Sequence, residues 1–261
     1  MDLLTGKHIV IMGGTTGIGL SAAKAFVSNG AKLVLVGRNQ ENVAAAQDLL
    51  GDEALAICGD ARDPSVPEQA IESCLQLYGG FDGLYHVAGG SGRKMGDGPL
   101  HEMTLEGWNK TLELNLSSLM FSNRAAIIKF LELGRGGVIL NMSSVLGFSP
   151  SPKYFATHAY AAAKAAIIGF SKSIAAYYAK NNIRVNTILP ALVETPMARR
   201  ATGDQEILSY INTKQPLDGG RIGKAEDLDG LAIYLMSDQS TFTSGQAICV
   251  DGGWSMTDGQ Y

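Results

Sequence analysis

Tyr160 and Lys164 stand four residues apart in the stretch Tyr160-Ala-Ala-Ala-Lys164. On a helix that spacing puts the phenol and the ammonium on one face, a turn apart. Such a pair can serve as a general acid and base. A free tyrosine has a pKa near ~10, so only about one molecule in a thousand is phenolate at pH 7. Making it a competent base takes roughly three pH units, or ~4 kcal/mol. An ammonium about 4 Å away supplies ~1 kcal/mol in bulk water and ~4 kcal/mol in a partly buried site. The pair therefore has catalytic value only where something shields it from water. Taken alone, it reads equally as an alanine-rich packing helix over residues 160–180 that happens to carry a lysine.

The elements that must position this pair alternate along the whole chain. Short apolar runs fall at His8–Met12, Lys32–Val36, Ala54–Cys58, Gly83–Ala88, Gly137–Met142, Arg184–Leu189 and Ala247–Val250, with longer helical patterns between them. Their continuous apolar character points to strands covered on both faces, hence a parallel sheet with helices outside it. No linker, repeat or low-complexity tract interrupts the pattern. The expectation is an α/β fold: one doubly wound, Rossmann-type domain over residues 1–261, with a seven-stranded, mostly parallel sheet.

The first run leads straight into Gly13-Gly14-Thr15-Thr16-Gly17-Ile18-Gly19 and then a helix over about 18–28. Strand, glycine turn and helix form the context of a dinucleotide site. Glycines let the backbone approach a pyrophosphate, and the helix N-terminus offers it free N–H groups and partial positive charge. The second run ends in Gly37-Arg38-Asn39, about where a carboxylate would select NAD(H) and an arginine would welcome the 2′-phosphate of NADP(H). The nearest acid, Glu41, already belongs to the next helix. Arg38 offers a planar fork suited to phosphate, so NADP(H) is the expected cofactor. The alternative is that Arg38 stacks on adenine and the site takes NAD(H). Asp60 follows the third run, where it can meet an adenine edge or simply be a solvated loop acid. The small residues of Val87-Ala88-Gly89 permit close passage of a ribose or ordinary packing. Asn115 lies among apolar neighbours and needs partners if buried. Ser143 and Ser144 end the fifth run, where open α/β sheets put ligands or where a turn needs a cap.

Composition narrows the function classes. The net charge of −4 lacks the basic footprint of a nucleic-acid binder. Cys58, Cys74 and Cys249 have no metal-like spacing and read as buried thiols of a reducing compartment. Residues 1–7 have no signal-peptide layout, and Lys164 and Lys172 interrupt the most apolar helix. A cytoplasmic protein with no metal, no membrane partner and no nucleic acid is expected.

Taken together, the sequence resembles the short-chain dehydrogenase/reductase family almost from end to end. Gly13…Gly17-Ile18-Gly19 resembles its cofactor loop, Asp60-Ala61 its adenine-contacting step, and Tyr160…Lys164 its active-site pair. Ser144, just before Val145, resembles the catalytic serine, and Asn115 the structural and proton-relay asparagine. Val185-Asn186…Pro190…Val193-Glu194-Thr195 resembles the nicotinamide-binding stretch, and Thr243-Ser244-Gly245-Gln246…Val250-Asp251-Gly252-Gly253 the closing strand. The resemblance implies hydride transfer between a nicotinamide cofactor and a small carbonyl or secondary alcohol, with Tyr160 as acid and base. It implies that Lys164 also holds the ribose hydroxyls, Ser144 donates to the substrate oxygen, and Asn115 holds a water leading from Lys164 to solvent. It further implies a homotetramer and a substrate lid over about 193–216. Departures are Met12 for a usual threonine, Val87 for the second asparagine of Asn-Asn-Ala-Gly, Ala191 for a common glycine, and a longer loop between Ser144 and Tyr160. A methyltransferase would share the glycine turn but have no use for Ser144, Tyr160 and Lys164. A catalytically silent dinucleotide sensor is the alternative, although it had no need to retain that set. Arg199 and Arg200, with Arg93 and Lys94, read first as solvated surface charge and second as contacts for an anionic substrate.

Overall fold

Residues 2–259 are described by a computed structural model. Seven strands form one sheet: β1 (His8–Met12), β2 (Lys32–Gly37), β3 (Ala54–Cys58), β4 (Gly83–His86), β5 (Gly137–Met142), β6 (Ile183–Pro190) and β7 (Ala247–Val250), in the order β3-β2-β1-β4-β5-β6-β7. Every pairing is parallel, so the expected "mostly parallel" sheet is wholly so. The helices are α1 (Gly17–Val27), α2 (Gln40–Leu50), α3 (Ser65–Tyr78), α4 (Leu105–Leu112), α5 (Ser118–Leu133), α6 (His158–Tyr178), α7 (Arg199–Thr202), α8 (Gln205–Lys214) and α9 (Asp229–Met236). The helix expected over 160–180 starts two residues earlier and ends in a separate 3₁₀ turn at Ala179–Asn181.

The continuous apolar runs have a simple physical cause. Within β1, Ile9 and Ile11 enter one core, with Phe26 of α1 and Leu235 of α9. Val10 and Met12 enter the opposite core, with Ile71 of α3 and Phe130 of α5. Both faces of each central strand are therefore apolar, and the alternation between faces is invisible in the sequence.

β1 has β2 on one side and β4 on the other, so the order of strands reverses beside its carboxyl end. That is where an open α/β sheet leaves a crevice for ligand. Gly13 marks the spot: its φ is +83°, and a Cβ there would lie 2.7 Å from the Ala88 nitrogen. The end of β1 and the turn after β4 approach too closely for any side chain.

One polar group inside the fold sets a pH-dependent stability. Ser21 of α1 donates to Asp229 Oδ2 at 2.7 Å, while Asp229 Oδ1 is buried with no hydrogen-bond partner among the described residues. Burial pushes the carboxyl up to about 6. The folded chain thus holds this proton more tightly than the unfolded chain, whose carboxyl titrates near the ordinary 3.8. Stability is fully present below that ordinary value and is lost as pH rises through about 6. Asp229→Asn keeps an acceptor for Ser21 and removes the charge. Its melting temperature is expected to exceed the wild type's by several degrees at pH 8 and by less at pH 5, as thermal unfolding followed by circular dichroism would show. An equal shift at both pH values would contradict this account.

Candidate active site

The crevice opens into a cavity of about 680 Å³ whose wall includes Ser144, Tyr160 and Lys164. β5 delivers Ser144 at its carboxyl end, and α6 delivers Tyr160 and Lys164 from its first two turns. Lys164 is 3% exposed, its Nζ 5.4 Å from the centroid of the Tyr160 ring and donating to the Met142 carbonyl at 3.1 Å. Ser143 Oγ donates to the Lys164 carbonyl at 2.7 Å, tying the strand end to the helix. Ser144 Oγ accepts from the Leu146 N–H at 3.2 Å and donates to the Pro190 carbonyl at 3.4 Å, and it acts to lower the pKa of the Tyr160 phenol.

What fixes the start of α6 is a residue the sequence did not single out. Asp97 is buried, and its two carboxylate oxygens accept from the N–H groups of Ala159 and Tyr160, each at 3.0 Å. Thr157, at the N-cap, makes no side-chain cap bond of its own. A carboxylate at a helix N-terminus satisfies orphan donors and meets the positive end of the dipole. Asp97 therefore sets the position of Tyr160 from a loop sixty residues upstream.

Electrostatics run against the expectation that Lys164 brings the phenol down. Burial pushes Tyr160 up to about 12, only partly opposed by the hydrogen bond to Ser144. The same burial pulls Lys164 down to about 8. Desolvation penalises each charged form. Near neutral pH the protein by itself holds a phenol and an ammonium, the acid-ready form of the pair.

Asn115 is fully buried and does not line the cavity. It sits in a π turn over Glu113–Ser117 that interrupts what otherwise reads as continuous helix between α4 and α5. Such turns recur at functional sites. Its amide is spent on backbone: Nδ2 donates to the Gly90 and Thr111 carbonyls, each at 2.9 Å, and Oδ1 accepts from the Gly90 N–H at 3.0 Å. It thereby fixes the turn after β4 beside the ammonium: a Cβ on Gly89 would lie 2.8 Å from Asn115 Oδ1 and 3.5 Å from Lys164 Nζ. Both Nδ2 hydrogens are thus used, while Oδ1 accepts one bond and keeps a second lone pair.

The dinucleotide residues read from the sequence gather on the same wall. Gly13, Thr15, Thr16, Gly17 and Ile18 line it from the glycine turn; Arg38, Asp60 and Ala61 from the ends of β2 and β3; Val87, Ala88 and Gly89 from the turn after β4; and Pro190, Val193 and Thr195 from the end of β6. Gly19 does not line it. It packs beneath the turn, where a Cβ would lie 2.1 Å from the Gly13 carbonyl oxygen. The start of α1 fits an anionic group: Thr16 at its N-cap makes no side-chain cap bond, and the first turn holds no acid. Asp60 is bound by Arg62, whose Nη2 and Nε donate to it at 2.7 and 3.1 Å and hold its carboxyl below the usual range. Gly37 has no room for a side chain, since a Cβ there would lie 2.0 Å from Thr15 Oγ1. Position 37, beside Arg38, is thus closed to a side chain. Trp254, fully buried, also lines the cavity and meets Phe155 edge-on at 5.7 Å. No local signal in the sequence pointed to it.

Comparison with known proteins finds relatives over nearly the whole chain. A family model described as enoyl-(acyl carrier protein) reductase matches residues 13–255. The chain is 34% identical over 258 residues to an NADP-dependent (R)-specific alcohol dehydrogenase of Lentilactobacillus kefiri, covering 97% of this chain and 98% of the relative. It is also 34% identical to a 3-oxoacyl-(acyl-carrier-protein) reductase of Chlamydia muridarum, with coverages of 97% and 98%. A solved short-chain type dehydrogenase/reductase from Mycobacterium ulcerans superposes with a TM-score of 0.88 at 28% identity, over 97% of this chain and 91% of that one. Among the described residues no helix is long and apolar enough to cross a membrane.

Proposed function

The chain belongs to the short-chain dehydrogenase/reductase family, and on that premise we propose that it is an NADP(H)-dependent oxidoreductase interconverting a carbonyl and a secondary alcohol, with Tyr160 as acid and base. The observation that carries the reading is the convergence of Ser144, Tyr160 and Lys164 on the cavity that the glycine turn opens. When bound, the nicotinamide cofactor supplies or takes up the hydride. Gly17 and Ile18 at the start of α1 would hold its pyrophosphate, Arg38 its 2′-phosphate, and Lys164 its ribose hydroxyls. In reduction Tyr160 passes its phenolic proton to the substrate oxygen, and in oxidation it takes that proton back. Ser144 donates a hydrogen bond to the same oxygen, where negative charge grows as hydride arrives. The Lys164 ammonium eases formation of the phenolate once the proton has left. Asn115 and Asp97 are positioning residues: the first fixes the turn beside Lys164, the second the helix start that carries Tyr160.

The cofactor preference rests on Arg38, on the closed space at Gly37 and on the NADP dependence of one relative. Initial rates with NADPH and NADH over a panel of ketones, acyl thioesters and sugars test it. Preference for NADPH by at least about tenfold in kcat/KM, a difference of ~1.4 kcal/mol, is expected. Preference for NADH would overturn the assignment.

A further inference from the structure

Two arginines of the cavity wall reach one backbone carbonyl. Arg93, in the 3₁₀ turn Arg93–Met95 after β4, donates through Nη2 to the Tyr154 carbonyl at 3.0 Å. Arg200, on α7, donates through Nη2 to that same carbonyl at 3.1 Å. Tyr154 belongs to the loop between Ser144 and Tyr160, which places both guanidiniums on the substrate side of the reacting groups. Both line the cavity. Arg199 and Arg200 are both exposed, but only Arg200 lines the cavity, so the structure separates two arginines that look equivalent in the sequence.

Neither guanidinium has an ion-pair partner among the described residues. Among the described residues the arginines paired with carboxylates are Arg62, Arg124, Arg135 and Arg221. Asp97, the nearest acid to Arg93, has both oxygens on the N–H groups of α6. Glu206 is held by Lys153 and the Tyr154 hydroxyl. Arg93 is half-buried, and burial together with the charge of Arg200 makes its proton harder to keep, only partly offset by the Asp97 carboxylate. Two like charges brought together in a cleft repel, and one carbonyl dipole does not neutralise them. Each guanidinium has five N–H donors and directs one at Tyr154, so both keep donors for a further acceptor. A fork with free donors, beside a second fork, is the geometry that grips a carboxylate or phosphate. Arg200 also lies over the Phe155 ring, 5.8 Å from its centroid, which holds it along the wall.

We propose that Arg93 and Arg200 form an oxoanion seat, so that the carbonyl compounds handled by this site carry a carboxylate or a phosphate away from the reacting carbon. The proposal rests on the dehydrogenase reading above and names its substrate class. The competing role is a latch, in which the two arginines only hold the Tyr154 loop against α7.

The test pairs each anion with a neutral partner. Levulinate and its longer oxo-acid homologues are compared with their methyl esters, and hydroxyacetone phosphate with hydroxyacetone, all with NADPH. In parallel, quenching of Trp fluorescence in the NADP⁺-loaded protein reports binding without turnover. At least one anion should surpass its neutral partner in kcat/KM and in affinity by about tenfold or more, the size of a charge-assisted bidentate contact. The carboxylate and phosphate arms show which oxoanion fits. Arg93→Gln and Arg200→Gln should each remove that advantage while leaving the neutral partner within about twofold of wild type, the scatter expected away from a direct contact. A latch would instead lower both partners equally, and that result overturns the proposal. So does an anion that binds no better than its ester, whether or not it is reduced. Reduction of the esters in that case leaves the dehydrogenase reading standing, whereas absence of NADPH oxidation with every compound removes the reading itself.

Discussion

Tyr160→Phe is expected to lower kcat by roughly 10²–10⁴-fold, the contribution of a positioned acid or base, while leaving NADPH affinity almost unchanged. The substitution deletes one oxygen and keeps the ring that packs beside Lys164. Lys164→Ala, in contrast, should damage turnover and cofactor binding together, because that ammonium has both duties in the proposed mechanism. Stopped-flow measurement of kcat and a fluorescence titration of NADPH separate the two cases. If Tyr160→Phe kept more than about a tenth of wild-type kcat, its loss would have cost under ~1.4 kcal/mol, too little for the acid of the reaction. The pH profile carries the same assignment. Burial holds the phenol protonated at neutral pH, so reduction should not need a rise in pH, whereas oxidation should accelerate as pH rises toward the phenol's range. The Phe variant should lose both profiles.

The second large effect concerns cofactor choice, and the structure changes how it must be tested. Gly37→Asp with Arg38→Ala supplies the carboxylate that NAD(H) wants and removes the fork that NADP(H) wants. A Cβ at position 37, however, would lie 2.0, 2.7 and 2.9 Å from three atoms of the Thr15 side chain. Thr15 is short, β-branched and buried, so it cannot swing away. Overpacking of that kind costs on the order of 1–3 kcal/mol and would move the glycine turn. The double variant should therefore bind both cofactors poorly and melt earlier. Adding Thr15→Gly opens the space, and the triple variant should prefer NADH by at least about tenfold, or ~1.4 kcal/mol, in kcat/KM. A triple variant that still prefers NADPH would show that Arg38 is not the residue reading the 2′-phosphate.

The sheet was legible because its strands are buried on both faces. Four of the seven apolar runs coincide with β1, β3, β5 and β7, and the others differ by one or two residues at an end. What could not be read depends on contacts far apart in sequence. Asp97 looks like a loop acid until the fold brings it onto the N–H groups of Ala159 and Tyr160. Trp254 looks like an ordinary C-terminal aromatic until it reaches Phe155 and Tyr210 at the cavity wall. The π turn at Asn115 adds one residue to a helical register, and no residue type announces it. The direction of the Tyr160 shift was also out of reach: the spacing to Lys164 gives the sign of the attraction but says nothing of the desolvation that pushes the phenol up. Arg199 and Arg200 differ only in which side of a short helix they occupy, which one turn of sequence does not reveal.

The central claim is that this protein moves a hydride between a nicotinamide cofactor and a carbonyl carbon while Tyr160 moves the proton. NADPH deuterated at the transferable position of nicotinamide C4 tests it most directly, with the carbonyl panel as acceptors and mass spectrometry of the products. Wild type should place a single deuterium on the carbinol carbon of at least one product, and Tyr160→Phe should yield almost none. A wild-type product without deuterium, or no product from any acceptor with either cofactor, would contradict the account.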